Sequence, residues 1–199
     1  MARINSITEK QHTGTGIMLL MLTAAAGIAA GAVFTALNGG QAPSVWLHQY
    51  LMPVSSGTPL SEAILHIFTG YILFLSAFFI TGTSAIGHPV SLCLLLFRGI
   101  GAGVSVSYLY YVSGISAFHE VVFAVLPEAA AALIIAAAAA RESMRSSCGL
   151  IKCMVQGDTY ENGVRSFKMY CIRFMVLSVI SLLTAAGCTI LNYVYNAVK

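Results

Sequence analysis

Long apolar runs alternate along the chain with short polar stretches. Each run continues for about 20 residues without the two-residue alternation of a half-buried strand, enough for a helix to cross a hydrocarbon layer of about 30 Å. In lipid every backbone N–H and C=O must be satisfied within the segment, so such runs are expected to be helices. The pattern predicts an all-α, polytopic transmembrane helix bundle with five spans, at about 15–37, 63–82, 90–112, 120–140 and 170–195. Residues 1–14 form a polar head, 38–62 a loop between the first two spans, and 141–169 the one long polar segment.

Local signals refine these limits. The first span carries Gly27 and Gly31 at a spacing that lets helix backbones approach closely, and Asn38-Gly39-Gly40 ends it. The 38–62 loop holds Pro43, Pro53 and Pro59 together with Trp46, Leu47, Tyr50, Leu51 and Met52, an apolar patch suited to the membrane interface. Trp46 and Tyr50 make that loop a candidate partner-facing surface. Gly87, His88 and Pro89 mark a tight turn before the third span. The second half of the fourth is almost solid alanine, a close-packing surface that belongs inside a bundle.

Composition agrees: 58% of the residues are hydrophobic and 9% charged, against about 25% charged in an ordinary soluble domain. The net charge of +3 does not point to nucleic acid, because the basic residues are scattered rather than gathered into an aromatic-interleaved patch. They follow topology instead. Arg3 and Lys10 lie in the head and Arg141, Arg145, Lys152, Arg165 and Lys168 in the long polar segment, while the 38–62 loop has no lysine or arginine. The positive-inside rule puts the head and the 141–169 segment in the cytoplasm and the 38–62 loop outside. Five spans satisfy that assignment, with the N-terminus in and the C-terminus out. The first run lacks a small-residue cleavage site and reads as a retained helix. The stretch 84–112 admits a second reading, a re-entrant segment broken near Arg98 and Gly99.

Few residues suggest chemistry. Cys93, Cys148, Cys153, Cys171 and Cys188 form no C-x-x-C pair and have no flanking histidine, so they read as packing residues rather than metal ligands or disulfides. His66 and His88 lie near span ends and show no metal-binding spacing. No serine or cysteine nucleophile has a partnered base. Catalytic residues, cofactors and metals are therefore expected to be none. Arg98 is the unusual position, because a charge inside a span costs at least about 2.5 kcal/mol unless a partner or water meets it. An ion pair with Glu128 is one solution; snorkelling of Arg98 to the headgroups is the other. Pro127, directly before Glu128, frees a backbone carbonyl and predicts a kink or local unwinding. Gly99 and Gly103 read as a helix-packing face rather than a phosphate loop, since no strand precedes them. The cluster Arg98, His119, Glu120, Pro127 and Glu128 keeps a small transporter or permease subunit as the alternative function.

The segments "GTSAIGHPVSLCLLLFRGIGAG" and "GISAFHEVVFAVLPEAAAALIIAAAAARES" together resemble the stage II sporulation protein M family of Gram-positive, endospore-forming bacteria. Phe97, Arg98, Gly99 and Gly103 match its F-[KR]-G-x-x-x-G run, and Leu126 and Pro127 match its Leu-Pro pair. The resemblance implies a non-enzymatic, multi-pass scaffold of the cell membrane that anchors peptidoglycan-remodelling partners during engulfment. Those partners would resemble stage II sporulation proteins D and P. The lipid bilayer is the other expected partner, and the oligomeric state is left open.

Overall fold

The computed structural model describes residues 2–38, 59–84, 86–114, 118, 121–156 and 160–198, with side chains for 16–38, 59–84, 86–112, 114, 118, 121–123, 125–149 and 167–194. It is an all-α bundle of α1 (Ala2–Leu37), α2 (Leu60–Gly82), α3 (Gly87–Ser113), α4 (Leu126–Gln156) and α5 (Tyr160–Val198). A π-helical turn, Val121–Val125, leads into α4. Each of the five helices contains a stretch long and apolar enough to cross a membrane: Gly16–Leu37, Leu60–Gly82, Gly87–Val112, Val121–Gly149 (with the π turn) and Phe167–Val194. The chain is a multi-pass membrane protein by this architecture.

The helix limits have local causes. Pro59 precedes α2 in an extended conformation, and Glu62 in its first turn complements the N-terminal dipole. Pro89 falls in the first turn of α3, where its missing N–H would have had no intrahelical acceptor. At the other end of α3, Gly114 takes φ +61° and donates its N–H to the Tyr110 carbonyl. α3 runs unbroken through Arg98 and Gly99, as a full helix rather than a re-entrant segment. The π turn stops two residues before Pro127, where the ring removes a backbone donor and the regular ladder has to be re-registered.

Residues 2–14 continue in the same helix as the first span, whose membrane-length stretch begins at Gly16. One expected limit is corrected. The 141–169 segment is not a long loop: α4 continues to Gln156 and α5 begins at Tyr160. The reason lies in the spacing of small residues. Ala132, Ala136, Ala139, Ala140, Ser143, Met144 and Ser147 are buried along one face of α4, while Arg141, Arg145 and Cys148 are exposed on the other. The apolar stripe of a helix thus passes straight into the serine-rich segment, which composition alone reads as polar.

α4 sits at the centre, packed against α2, α3 and α5. Its alanines meet Leu75 and Phe78 of α2, Leu95 of α3, and Tyr170 and Phe174 of α5 in the main apolar cluster. α1 lies on the flank against α3. Their seam is made of glycine on both sides. A methyl group on Gly27 would strike the Leu96 carbonyl oxygen and Gly99, one on Gly31 the Ile100 carbonyl, one on Gly99 the Ala24 carbonyl, and one on Gly103 the Ile28 carbonyl. With lipid as solvent no hydrophobic drive brings helices together, and this backbone-to-backbone fit supplies the association.

Where α2 turns into α3, hydroxyls replace methyl groups. The Ser91 and Ser143 hydroxyls lie 2.8 Å apart, the Thr81 hydroxyl is 3.1 Å from Ser143, and Ser91 donates to the Gly87 carbonyl at 2.7 Å. Ser147 donates to the Ser84 carbonyl at 2.9 Å. Tyr170 crosses from α5 to donate to the Phe79 carbonyl at 2.9 Å, stacked on the Phe79 ring at 5.1 Å. Beside it Arg173 pairs with Glu142. The α2–α3 turn is thereby clamped onto α4 and α5.

Candidate functional site

Arg98 stands about 16 Å along α3 from Gly87, at about 1.5 Å per residue, half-way through a hydrocarbon layer of about 30 Å. It belongs to the stripe of α3 that includes Ser91, Leu95 and Ser105, all buried, so it faces the bundle rather than lipid. Its guanidinium carbon lies 5.1 Å from the centre of the Phe74 ring and 5.9 Å from that of Tyr71, both on α2. A cation over ring faces is attracted by their quadrupoles, by about 2 kcal/mol when desolvated.

The ion pair with Glu128 is not formed. Among the described residues the one acid–base pair within 4.0 Å is Arg173 with Glu142. Glu128 sits at the start of α4, in its first turn, just after the π turn. Its backbone carbonyl accepts a long hydrogen bond, 3.5 Å, from the Tyr71 hydroxyl. Tyr71 therefore links the two charged residues, one through its ring face and the other through its hydroxyl. Cys188 of α5 lies within electrostatic range of both Tyr71 and Glu128. Ala132 and Ala185 close the level beside Tyr71 in a small apolar cluster with Ile67.

Four helices thus send one polar side chain each to a common level: Tyr71, Arg98, Glu128 and Cys188. Arg98 and Glu128 are only partly buried, and among the described residues no buried side-chain nitrogen or oxygen lacks a partner. The polar atoms of both therefore border accessible space rather than packed protein. Chemically, the arrangement offers a cation against two aromatic rings and, among the described residues, no carboxylate within 4.0 Å of it. It contains no nucleophile paired to a base. Among the described residues no three His, Cys, Asp or Glu side chains come together as metal ligands.

The sequence singled out Arg98, Pro127 and Glu128, and the fold brings them to this level. Gly99 and Gly103 lie on the adjoining face of α3, against α1. Trp46 and Tyr50, and the side chains of His119 and Glu120, lie outside the described residues. Sequence reasoning missed Tyr71 and Phe74, and placed Cys188 with the packing cysteines. A signal for Tyr71 existed: tyrosine favours the headgroup level, and this one stands in the middle of its span. No family model matches the chain, and no curated protein and no solved structure matches it.

Proposed function

We propose that this chain is a non-enzymatic membrane scaffold, which holds peptidoglycan-remodelling partners at the engulfing membrane of a sporulating cell. The observation that carries the reading is the shape of its apolar surface. α1 and α5 leave Met18, Met21, Leu22 and Leu37, and Met175, Val179 and Leu183, exposed along their membrane lengths. These faces sit on a frame held by the glycine seam and the hydroxyl clamp, so their spacing is fixed. Such faces meet either lipid or the spans of a partner, and in a scaffold they meet partner spans. The motif resemblance to the stage II sporulation protein M family supplies the process, and proteins like stage II sporulation proteins D and P are the proposed partners.

The test is crosslinking in the native host during engulfment, followed by purification of the tagged chain in mild detergent. Recovery of a membrane-anchored peptidoglycan hydrolase is the expected result. A chain that purifies from crosslinked, engulfing cells without any wall-remodelling protein contradicts the proposal. A second reading, a small transporter or permease subunit, is favoured by one observation: the charged level at Arg98 and Glu128, where a π turn leads into the helix that carries Glu128.

A further inference from the structure

A charge at the middle of a span persists only where something offsets its desolvation. For Arg98 the rings of Tyr71 and Phe74 supply part of that, and no carboxylate of the described residues lies within 4.0 Å of its guanidinium. For Glu128 no side-chain donor is present among the described residues, although its backbone carbonyl is engaged by Tyr71. Two opposite charges share one level, each bordering accessible space, and they stay more than 4.0 Å apart. A direct pair would be the cheaper arrangement in a medium of low dielectric. Instead the guanidinium sits against the Phe74 and Tyr71 rings.

We infer that Tyr71, Arg98 and Glu128 form a binding site for a small zwitterionic group, with a carboxylate or phosphate on the Arg98 guanidinium and an ammonium on the Glu128 carboxylate. Arginine presents a planar fork of donors that matches either oxyanion in two parallel hydrogen bonds. Phe74 and Tyr71 hold the guanidinium near this position before the ligand arrives, which lowers the ordering cost of binding. The ammonium end is set by Glu128. A ligand carrying one charge alone would leave the other residue uncompensated, so each half is expected to bind worse than the whole. Two sources offer this chemistry: a free solute, such as an amino acid or phosphoethanolamine, and the headgroup of phosphatidylethanolamine. The site stands apart from the scaffold proposal. It names the ligand class for the transport reading, yet it concerns occupancy, so a chain that binds but moves no solute leaves it intact.

Cys188 is a native reporter, because it is half-buried and lies within electrostatic range of Tyr71 and Glu128. The experiment uses the full chain with Cys93, Cys148, Cys153 and Cys171 changed to alanine, in nanodiscs of phosphatidylglycerol. Alkylation of Cys188 by N-ethylmaleimide is followed by intact mass. Glycine and phosphoethanolamine are compared with acetate, inorganic phosphate and ethylamine. The expected result is alkylation slowed by a zwitterion, roughly tenfold at ten times its dissociation constant, as simple occupancy requires. Acetate, phosphate and ethylamine protect less at equal concentration. Arg98→Gln and Glu128→Gln each remove the protection, while Arg98→Lys, which keeps the charge, retains part of it. Slow alkylation in phosphatidylethanolamine nanodiscs without added solute, absent in Glu128→Gln, identifies the headgroup as the source. The inference is overturned if Cys188 cannot be alkylated in phosphatidylglycerol, if no probe or lipid alters its rate, if an anion alone protects as well as a zwitterion, or if protection survives in both glutamine variants.

Discussion

Replacing Gly103 by alanine tests the seam that holds α1 to α3. The added methyl would lie 3.0 Å from the carbonyl carbon of Ile28 and closer still to its oxygen, both backbone atoms of α1 that no rotamer change can move aside. Ordinary carbon contacts lie near about 3.5 Å, so α1 must back away by roughly 1 Å, and a gap of that size forfeits a quarter to a half of each affected contact. The glycine contacts on both sides of the seam loosen together, because Gly27, Gly31 and Gly99 depend on the same separation. The loss is expected to be about 1–3 kcal/mol, the range for overpacking a tight interior. The matched control is Gly187→Ala on α5, where a methyl meets nothing within 4 Å and alanine's better helix propensity is worth up to about 1 kcal/mol. Both variants would be measured by equilibrium unfolding in mixed micelles of dodecylmaltoside and dodecylsulfate. Gly103→Ala should fall well below wild type and Gly187→Ala should match or exceed it. Equal stabilities for the two variants would refute the seam.

Other outcomes follow from the same geometry. In double-mutant cycles by detergent melting, Arg98 should couple to Phe74 by about 0.5–2 kcal/mol, and more strongly than to Glu128; the opposite order would show that an ion pair, not the ring, holds the guanidinium. Tyr170→Phe, which deletes the hydroxyl that reaches the Phe79 carbonyl while keeping the stacked ring, should cost about 0.5–1.5 kcal/mol in the same assay. No loss there would mean that the clamp on the α2–α3 turn is not held by this bond. Incubated with cell-wall sacculi, the purified chain should release no soluble muropeptides above a detergent blank, and release would overturn the scaffold reading.

The parts of the structure that follow from local patterning were legible in the chain. Five apolar runs give five helices because helix length and bilayer thickness are tied by a fixed rise per residue. Pro127 foretold the irregular turn before α4, since the loss of one backbone donor acts locally. Two features were not legible. The serine-rich start of the 141–169 segment read as a loop because hydroxyls count as polar in any composition average, whereas Ser143 and Ser147 are buried once Ser91, Thr81 and the Ser84 carbonyl meet them from the α2–α3 turn. The partner of Arg98 was sought among carboxylates, where Coulomb energy in a dry medium is greatest. Phe74 and Tyr71 lie a full helix away in sequence, and an aromatic face in a membrane span looks the same whether it meets lipid or a cation. The location of Arg98 away from lipid could be reasoned from its cost; the identity of what faces it could not.

The reading of the chain as a five-span bundle with both basic segments in the cytoplasm has one direct test, which uses a cysteine already present. Cys148 is exposed on α4 beyond Arg141 and Arg145, and Ser55 lies in sequence between the first two spans. Intact cells would be treated with a membrane-impermeant maleimide, once with Cys148 as the sole cysteine and once with Ser55→Cys in a chain lacking the native five. The account expects labelling at position 55 and none at Cys148 until the membrane is opened by detergent. Labelling of Cys148 in sealed cells, with position 55 protected, would contradict it.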